Sequence, residues 1–236
     1  MLNYAADEAK VIQEAPTVRF LKLPPQRFDF FDFAEWDRLV EVARQDPEWY
    51  PAILVAGDAG LRMGEILALE WSDINSQAGS LTVRHSDWQG KIGSPKGGRE
   101  RTVPMTETLH AALKAHRHLR GRWVFMTLDG KRMTRNRLKH PLWDACKRAG
   151  LRKVGWHVLR HSYCSHLAMG GAAPKAIQEL AGHVSIATTM RYMHATPGAL
   201  RETVKILDVR RQQVRGNGHG TATKNGRPDG ESSNRP

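Results

Sequence analysis

The sequence predicts a mainly α-helical domain with a small antiparallel β-sheet, an α+β fold, on three observations. Capped amphipathic runs fill residues 32–69 and return over residues 106–209. Between them, Ser80-Leu81-Thr82-Val83-Arg84-His85 alternates with the period of a strand, and Arg101-Thr102-Val103-Pro104 can pair with it. The 236 residues are enough for a proper core. No apolar run approaches membrane-spanning length, and the N-terminus lacks the basic-then-apolar order of a signal peptide.

Taken in order, Leu2 to Ile12 reads as a helix end stopped at Ala15-Pro16, and Val18 to Phe31, with Pro24-Pro25, reads as an extended connector. Asp32 is a good N-cap. Glu35 completes a capping box, and Phe31 with Trp36 forms a hydrophobic staple, so a helix runs through Leu39, Val40 and Val42-Ala43. A second helix covers Trp49 to about Gly57–Gly60, and a third covers Arg62 to Leu69. The segment Gly93 to Arg99 is a glycine-rich tip presenting basic groups. Further helices are expected at Leu109–Leu119, Asn136–Ala149, His157–Met169, Lys175–Ala181 after Pro174, Ser185 to about Met193, and Pro197 to about Val209. After Arg210 the composition turns to Gly, Asn, Ser, Thr and Arg, which is a poor core former and predicts a disordered tail.

Charge narrows the function. The net charge is +12 and uneven. Residues 1–50 are acidic, with six Lys/Arg against ten Asp/Glu. From Lys114 to Lys153 thirteen cations face only Asp129 and Asp144. Such a field suits a polyanion, with nucleic acid the commonest, and equally a well-solvated basic face; Arg132, Arg135, Arg137 and Lys139, with Arg99 on the glycine-rich tip, are the candidate DNA contacts. Cys146 and Cys164 have no CxxC spacing and read as free thiols of a reducing cytoplasm.

Several side chains are suited to holding and attacking a phosphate diester. Arg62 and Glu65 lie three apart on one helix face, so the carboxylate can hold the guanidinium in place. Arginine grips phosphate oxygens bidentately and keeps its charge. Lys96 sits on the glycine-rich tip, where a mobile ammonium can protonate a leaving oxygen. His157, Arg160 and His161 follow on one helix, then Gly182-His183 and Tyr192. The His157/His161 spacing also permits zinc, but the glutamate of HExxH and a third ligand are missing, so no metal is expected. His161 is expected to be a packed or hydrogen-bonded histidine on the side away from the chemistry.

These segments together, Gly60-Leu61-Arg62-Met63-Gly64-Glu65, Lys96-Gly97-Gly98-Arg99, His157-x-x-Arg160-His161, Gly182-His183 and Thr188-Thr189-Met190-Arg191-Tyr192, resemble the catalytic domain of the tyrosine recombinase (phage integrase) family, over roughly Phe31 to Val209. Val158 departs mildly from the family pattern. The larger departure is upstream, where residues 1–31 correspond to a remnant of the family's core-binding domain and its linker, so an N-terminal truncation is expected. Residues 32–209 then form the catalytic domain, and 210–236 the basic tail.

The resemblance implies the roles. Tyr192 attacks the scissile phosphate to give a 3′-phosphotyrosyl bond. Arg62 and Arg160 hold the non-bridging oxygens, and His183 donates to the same phosphate. His157 accepts the tyrosine proton, Lys96 protonates the leaving oxygen, and Glu65 supports Arg62. It also implies double-stranded DNA as substrate, a tetramer on DNA in which 197–209 can pack on a neighbouring protomer, no cofactor, and a place in the prokaryotic nucleoid. Two other readings remain: a type IB topoisomerase-like nicking and closing enzyme, and a DNA-binding remnant that does not recombine.

Overall fold

The computed structural model describes residues 8–11 and 29–193. The expected helix at Pro197–Val209, the basic tail and most of the connector lie outside the described residues. Residues 8–11 form an exposed turn, not the helix expected there, because Lys10 adopts a left-handed φ of 49° that breaks the helical ladder.

Helix α1 (Phe33–Ala43) begins as its capping residues dictate. Asp32 accepts from the Glu35 amide at 2.8 Å, and Glu35 accepts from the Asp32 amide at 3.0 Å. It buries Trp36, Leu39 and Ala43 against α2 (Tyr50–Gly57), which opens on Pro51 and is buried from there to its end. Helix α2 is apolar on all sides because it forms the centre of the core. Helix α3 is short (Met63–Leu67) and stops two residues before the expected end at Leu69. There the backbone pairs elsewhere, since the Leu69 carbonyl accepts from Val124 N at 2.9 Å and Trp71 N donates to the Arg122 carbonyl at 2.8 Å.

The sheet forms as the alternation predicts. Strand β2 (Ser80–Val83) pairs antiparallel with β5 (Arg101–Pro104), with Leu81 opposite Val103 and Val83 opposite Arg101. The short β1 (Ile74–Asn75) adds to the other edge of β2. Leu81, Val83 and Val103 point inward, so one face of the sheet closes the core. The sequence reading did not anticipate a second, separate hairpin of β3 (Ser86–Trp88) and β4 (Lys91–Gly93).

Helix α4 (Glu107–His116) is capped by Thr106, which accepts from Leu109 N at 3.1 Å. It ends three residues before the expected Leu119, because the chain turns extended at Arg117 so that His116 and His118 both reach the Val124 carbonyl. Helices α5 (Arg135–Arg148), α6 (Trp156–Met169), α7 (Pro174–Ala181) and α8 (Ile186–Met193) complete the described chain. Helix α6 crosses α2 and buries most of its own surface, including Leu159, Arg160, Tyr163 and Cys164. Tyr163, Cys164, Ile177, Ala181 and Tyr192 form a second, smaller core joining α6, α7 and α8.

Helices α1 and α2 pack closely at Gly57. A β-carbon added at Gly57 would fall 2.0 Å from the Trp36 indole. Gly57→Ala is therefore expected to destabilise the domain by about 1–3 kcal/mol through overpacking. Urea unfolding should show a lower midpoint with an unchanged m-value.

Candidate active site

The carboxyl end of α7 is where the site is assembled. A helix leaves its last carbonyls without partners within the helix. Here three consecutive ones each accept from a different arginine. Arg101 Nε donates to the Leu180 carbonyl at 2.9 Å. Arg160 Nη2 donates to that of Ala181, and Arg62 Nη2 to that of Gly182 at 3.1 Å. Guanidinium groups are favoured at this negative end of the helix dipole. Gly182 turns the chain through φ +64°, delivering His183 beside the same three cations.

Glu65 holds two of these arginines. Its Oε1 accepts from Arg62 Nη1 at 2.7 Å and from Arg101 Nη1 at 3.1 Å. Its Oε2 accepts from the Arg62 amide at 2.9 Å and from Arg101 Nη2 at 2.7 Å. All the acceptor positions of a carboxylate are thus used, and its residue is 1% exposed. Burial alone would raise the Glu65 carboxyl, but Arg101 and Arg62 outweigh it and bring the group down to about 2. Arg160 is also 1% exposed. Burial, then the charge of Arg62, lowers it to about 10, so it remains a cation at neutral pH. Its Nη1 reaches the carbonyl of Gly60, which anchors the approach to α3.

Arg101 was not among the residues singled out from the sequence. A signal was present: period-two alternation places Arg101 on the same face as the buried Val103, and an inward cation needs a buried carboxylate.

Tyr192 lies on α8 with 3% exposure. Its hydroxyl is 2.6 Å from His161 Nδ1, and its ring stacks on His183 with centroids 5.8 Å apart. His161 was expected on the side away from the chemistry, and this is corrected. Residues i and i+4 share a helix face, so His161 stands beside His157, with ring centroids 4.4 Å apart, where α8 docks on α6. Burial, then His157 and Arg160, holds His161 at about 4, and burial, then Arg160, Arg62 and Arg101, holds His183 at about 3, so both are neutral at pH 7. Burial, then Cys164, raises the Tyr192 phenol. The exposed His157 is lowered by partial desolvation, then by Arg160, Arg62 and Lys96. His183 Nδ1 is 2.9 Å from Thr189 Oγ1, which sets its ring orientation.

Lys96 is exposed on the loop after β4. With Arg99 it forms one wall of a cleft of about 740 Å³ whose other wall is Lys175, Gln178 and His183. A β-carbon on Gly97 would meet Val184 at 2.7 Å, so the loop lies close against the turn that carries His183. The structure therefore brings Arg62, Glu65, Lys96, His157, Arg160, His183 and Tyr192 to one region. Among the described residues, no cluster of three or more His, Cys, Asp or Glu is placed to hold a metal ion.

Residues 29–198 match the family model described as the phage integrase family. The chain belongs to that family. It is 36% identical over 155 residues to the tyrosine recombinase XerD of Mycobacterium tuberculosis, covering 61% of this chain and 46% of that one. It is 32% identical over 202 residues to the tyrosine recombinase XerA of Pyrococcus furiosus, covering 82% and 66%. The chain thus spans about half the length of that XerD and 66% of that XerA. A crystal structure of XerA recombinase superposes with a TM-score of 0.65 at 30% identity, over 77% of this chain and 66% of that one. The Tn1549 transposon integrase, solved in complex with a circular intermediate DNA, shares the fold with a TM-score of 0.72 at 22% identity, over 86% and 74%.

In this domain of the phage integrase family the other basic candidates divide in two. Arg137 and Lys139 are exposed on α5. Arg132 and Arg135 instead bind the β3–β4 hairpin, through Asp87 Oδ2 at 2.6 Å and the Asp87 carbonyl at 3.0 Å. Among the described residues, no helix is long and apolar enough to cross a membrane.

Glu65→Gln would leave the buried Arg101 without its counter-charge and is expected to destabilise the domain by about 3–5 kcal/mol at pH 7. The Glu65 carboxyl titrates at about 2 when folded, against an ordinary 4.5. Its stabilisation is therefore complete above the ordinary value and is lost as pH falls through the folded one. In urea unfolding across that range, the gap between the parent protein and Glu65→Gln should narrow as pH falls. The depressed histidines are common to both proteins and cancel in the difference.

Proposed function

We propose that this domain cleaves and rejoins duplex DNA as a site-specific recombinase or integrase, through a 3′-phosphotyrosyl bond to Tyr192. The observation that carries this reading is the meeting of a phenol, two neutral imidazoles and the fixed arginines around the end of α7. Family membership supports the same conclusion.

The chemistry is positioning and charge stabilisation. Arg62 and Arg160 offset the charge that grows on the non-bridging oxygens, and His183 adds a hydrogen bond. The Tyr192 oxygen forms its bond to phosphorus as the bond from phosphorus to the 5′-oxygen breaks. Lys96 gives a proton to that leaving oxygen. The phenol needs a base because its ionisation is suppressed by burial. His161, rather than the His157 that the resemblance implies, is the imidazole in hydrogen-bond contact with the phenol and is placed to take its proton, while the exposed His157 connects the pair to solvent. The phosphotyrosyl bond keeps the diester's energy, so a 5′-hydroxyl from another strand can reseal it. Strand exchange by a tetramer on DNA then requires no nucleotide cofactor.

Incubation with a nicked suicide duplex carrying the cognate site is expected to give a covalent adduct with the parent protein and none with Tyr192→Phe. An adduct that persists in Tyr192→Phe overturns the nucleophile assignment. Relaxation of supercoiled plasmid without strand exchange would identify a nicking and closing enzyme instead. His161→Phe is expected to slow cleavage of the suicide duplex by about 10²-fold at neutral pH, the lower end of general-base contributions.

A further inference from the structure

The β3–β4 hairpin is built more firmly than a surface connection requires. Its loop is Gln89-Gly90, with φ of 51° and 88°, the pair of left-handed conformations that matches hairpin twist. Gly90 N donates to Asp87 Oδ1 at 3.0 Å. Arg132 joins Asp87 Oδ2 at 2.6 Å to the Gly90 carbonyl at 3.0 Å, and Arg135 holds the Asp87 carbonyl. At the same carbonyl, a β-carbon added at Gly64 would lie 2.6 Å from the Asp87 oxygen. The hairpin is thus pressed against the first turn of α3, next to Arg62.

This scaffold presents Trp88 to solvent. The side chain is 69% exposed, with the Arg135 guanidinium 5.8 Å from the ring centroid. A large aromatic held outward on a rigid element contributes nothing to the core, and tryptophan is enriched where surfaces make contact. The surrounding charge indicates the partner. From Trp88 to Arg99 there are three cations, Lys91, Lys96 and Arg99, and no carboxylate. Asp87, the carboxylate just before them, is neutralised by Arg132. A cationic strip with a flat aromatic face fits nucleic acid, where cations meet phosphate and the ring packs on the sugars and base edges of a groove. The hairpin is also continuous with the site, because Lys96 follows Gly93 by three residues. Three-residue strands reach on the order of 10 Å, about three base-pair steps of duplex.

We propose that the β3–β4 hairpin is a second DNA contact of this domain. Trp88 packs into a groove within about three base pairs of the phosphate held at Arg62, and Lys91 lies on the adjoining backbone. The proposal rests on the reading of this protein as a DNA recombinase.

The test uses the full chain and a fluorescein-labelled mixed-sequence duplex, read by anisotropy over a range of salt concentrations. Trp88→Ala is expected to raise Kd about tenfold, the size of one lost aromatic contact, with the slope against salt unchanged. Trp88→Phe should restore most of the affinity, and Lys91→Gln should reduce the salt slope by about one. Thermal melting by circular dichroism checks that each variant is folded. Parent-like binding by Trp88→Ala overturns the hairpin proposal alone. Unchanged DNA affinity with altered sedimentation of the free Trp88→Ala chain also overturns it and assigns the hairpin to a protein contact. Failure of the parent protein to bind duplex removes the recombinase reading together with the hairpin proposal.

Discussion

The arrangement of this domain depends on the carboxyl end of α7, where Leu180, Ala181 and Gly182 each give a carbonyl to a different arginine. The three cations come from β5, α6 and the start of α3, segments distant in sequence. Bringing them together would be strongly repulsive without compensation. The Glu65 carboxylate supplies it, with both oxygens shared between Arg62 and Arg101. The helix end adds the negative pole of its dipole. One buried carboxylate and one helix terminus therefore allow a concentrated positive field to exist inside a folded protein.

That field explains the protonation states around it. Burial, with the arginines around His183 and with His157 and Arg160 around His161, depresses both well below the ordinary imidazole value, which leaves both neutral. A neutral imidazole can accept a proton, and an imidazolium cannot. The packing thus fixes a concentrated positive charge at this helix end in advance, which is the preorganisation that the proposed phosphoryl transfer calls for.

The architecture was largely readable along the chain because its signals are local. Asp32 and Glu35 form the capping box that their spacing predicts, and Ser80–Val83 pairs with Arg101–Pro104 as alternation predicts. Where the reading failed, distant partners decided. Helix α3 ends early because residues 69–71 pair with residues 122–124. The β3–β4 hairpin depends on Arg132 and Arg135, more than forty residues further along the chain, and its Gln89-Gly90 turn is a weaker signal than Asn-Gly.

The residue types of the candidate site, Arg62, Glu65, Lys96, His157, Arg160, His183 and Tyr192, can be named from sequence alone, because their local order and spacing carry the resemblance to the family. The tertiary structure decided which of their neighbours join them. Arg101 enters because the sheet turns it toward Glu65, and His161 enters because α8 packs against α6 on the face it shares with His157. Neither fact is encoded in a short segment. Each depends on how two elements meet, and that is set by burial of the shared core rather than by the periodicity of either element.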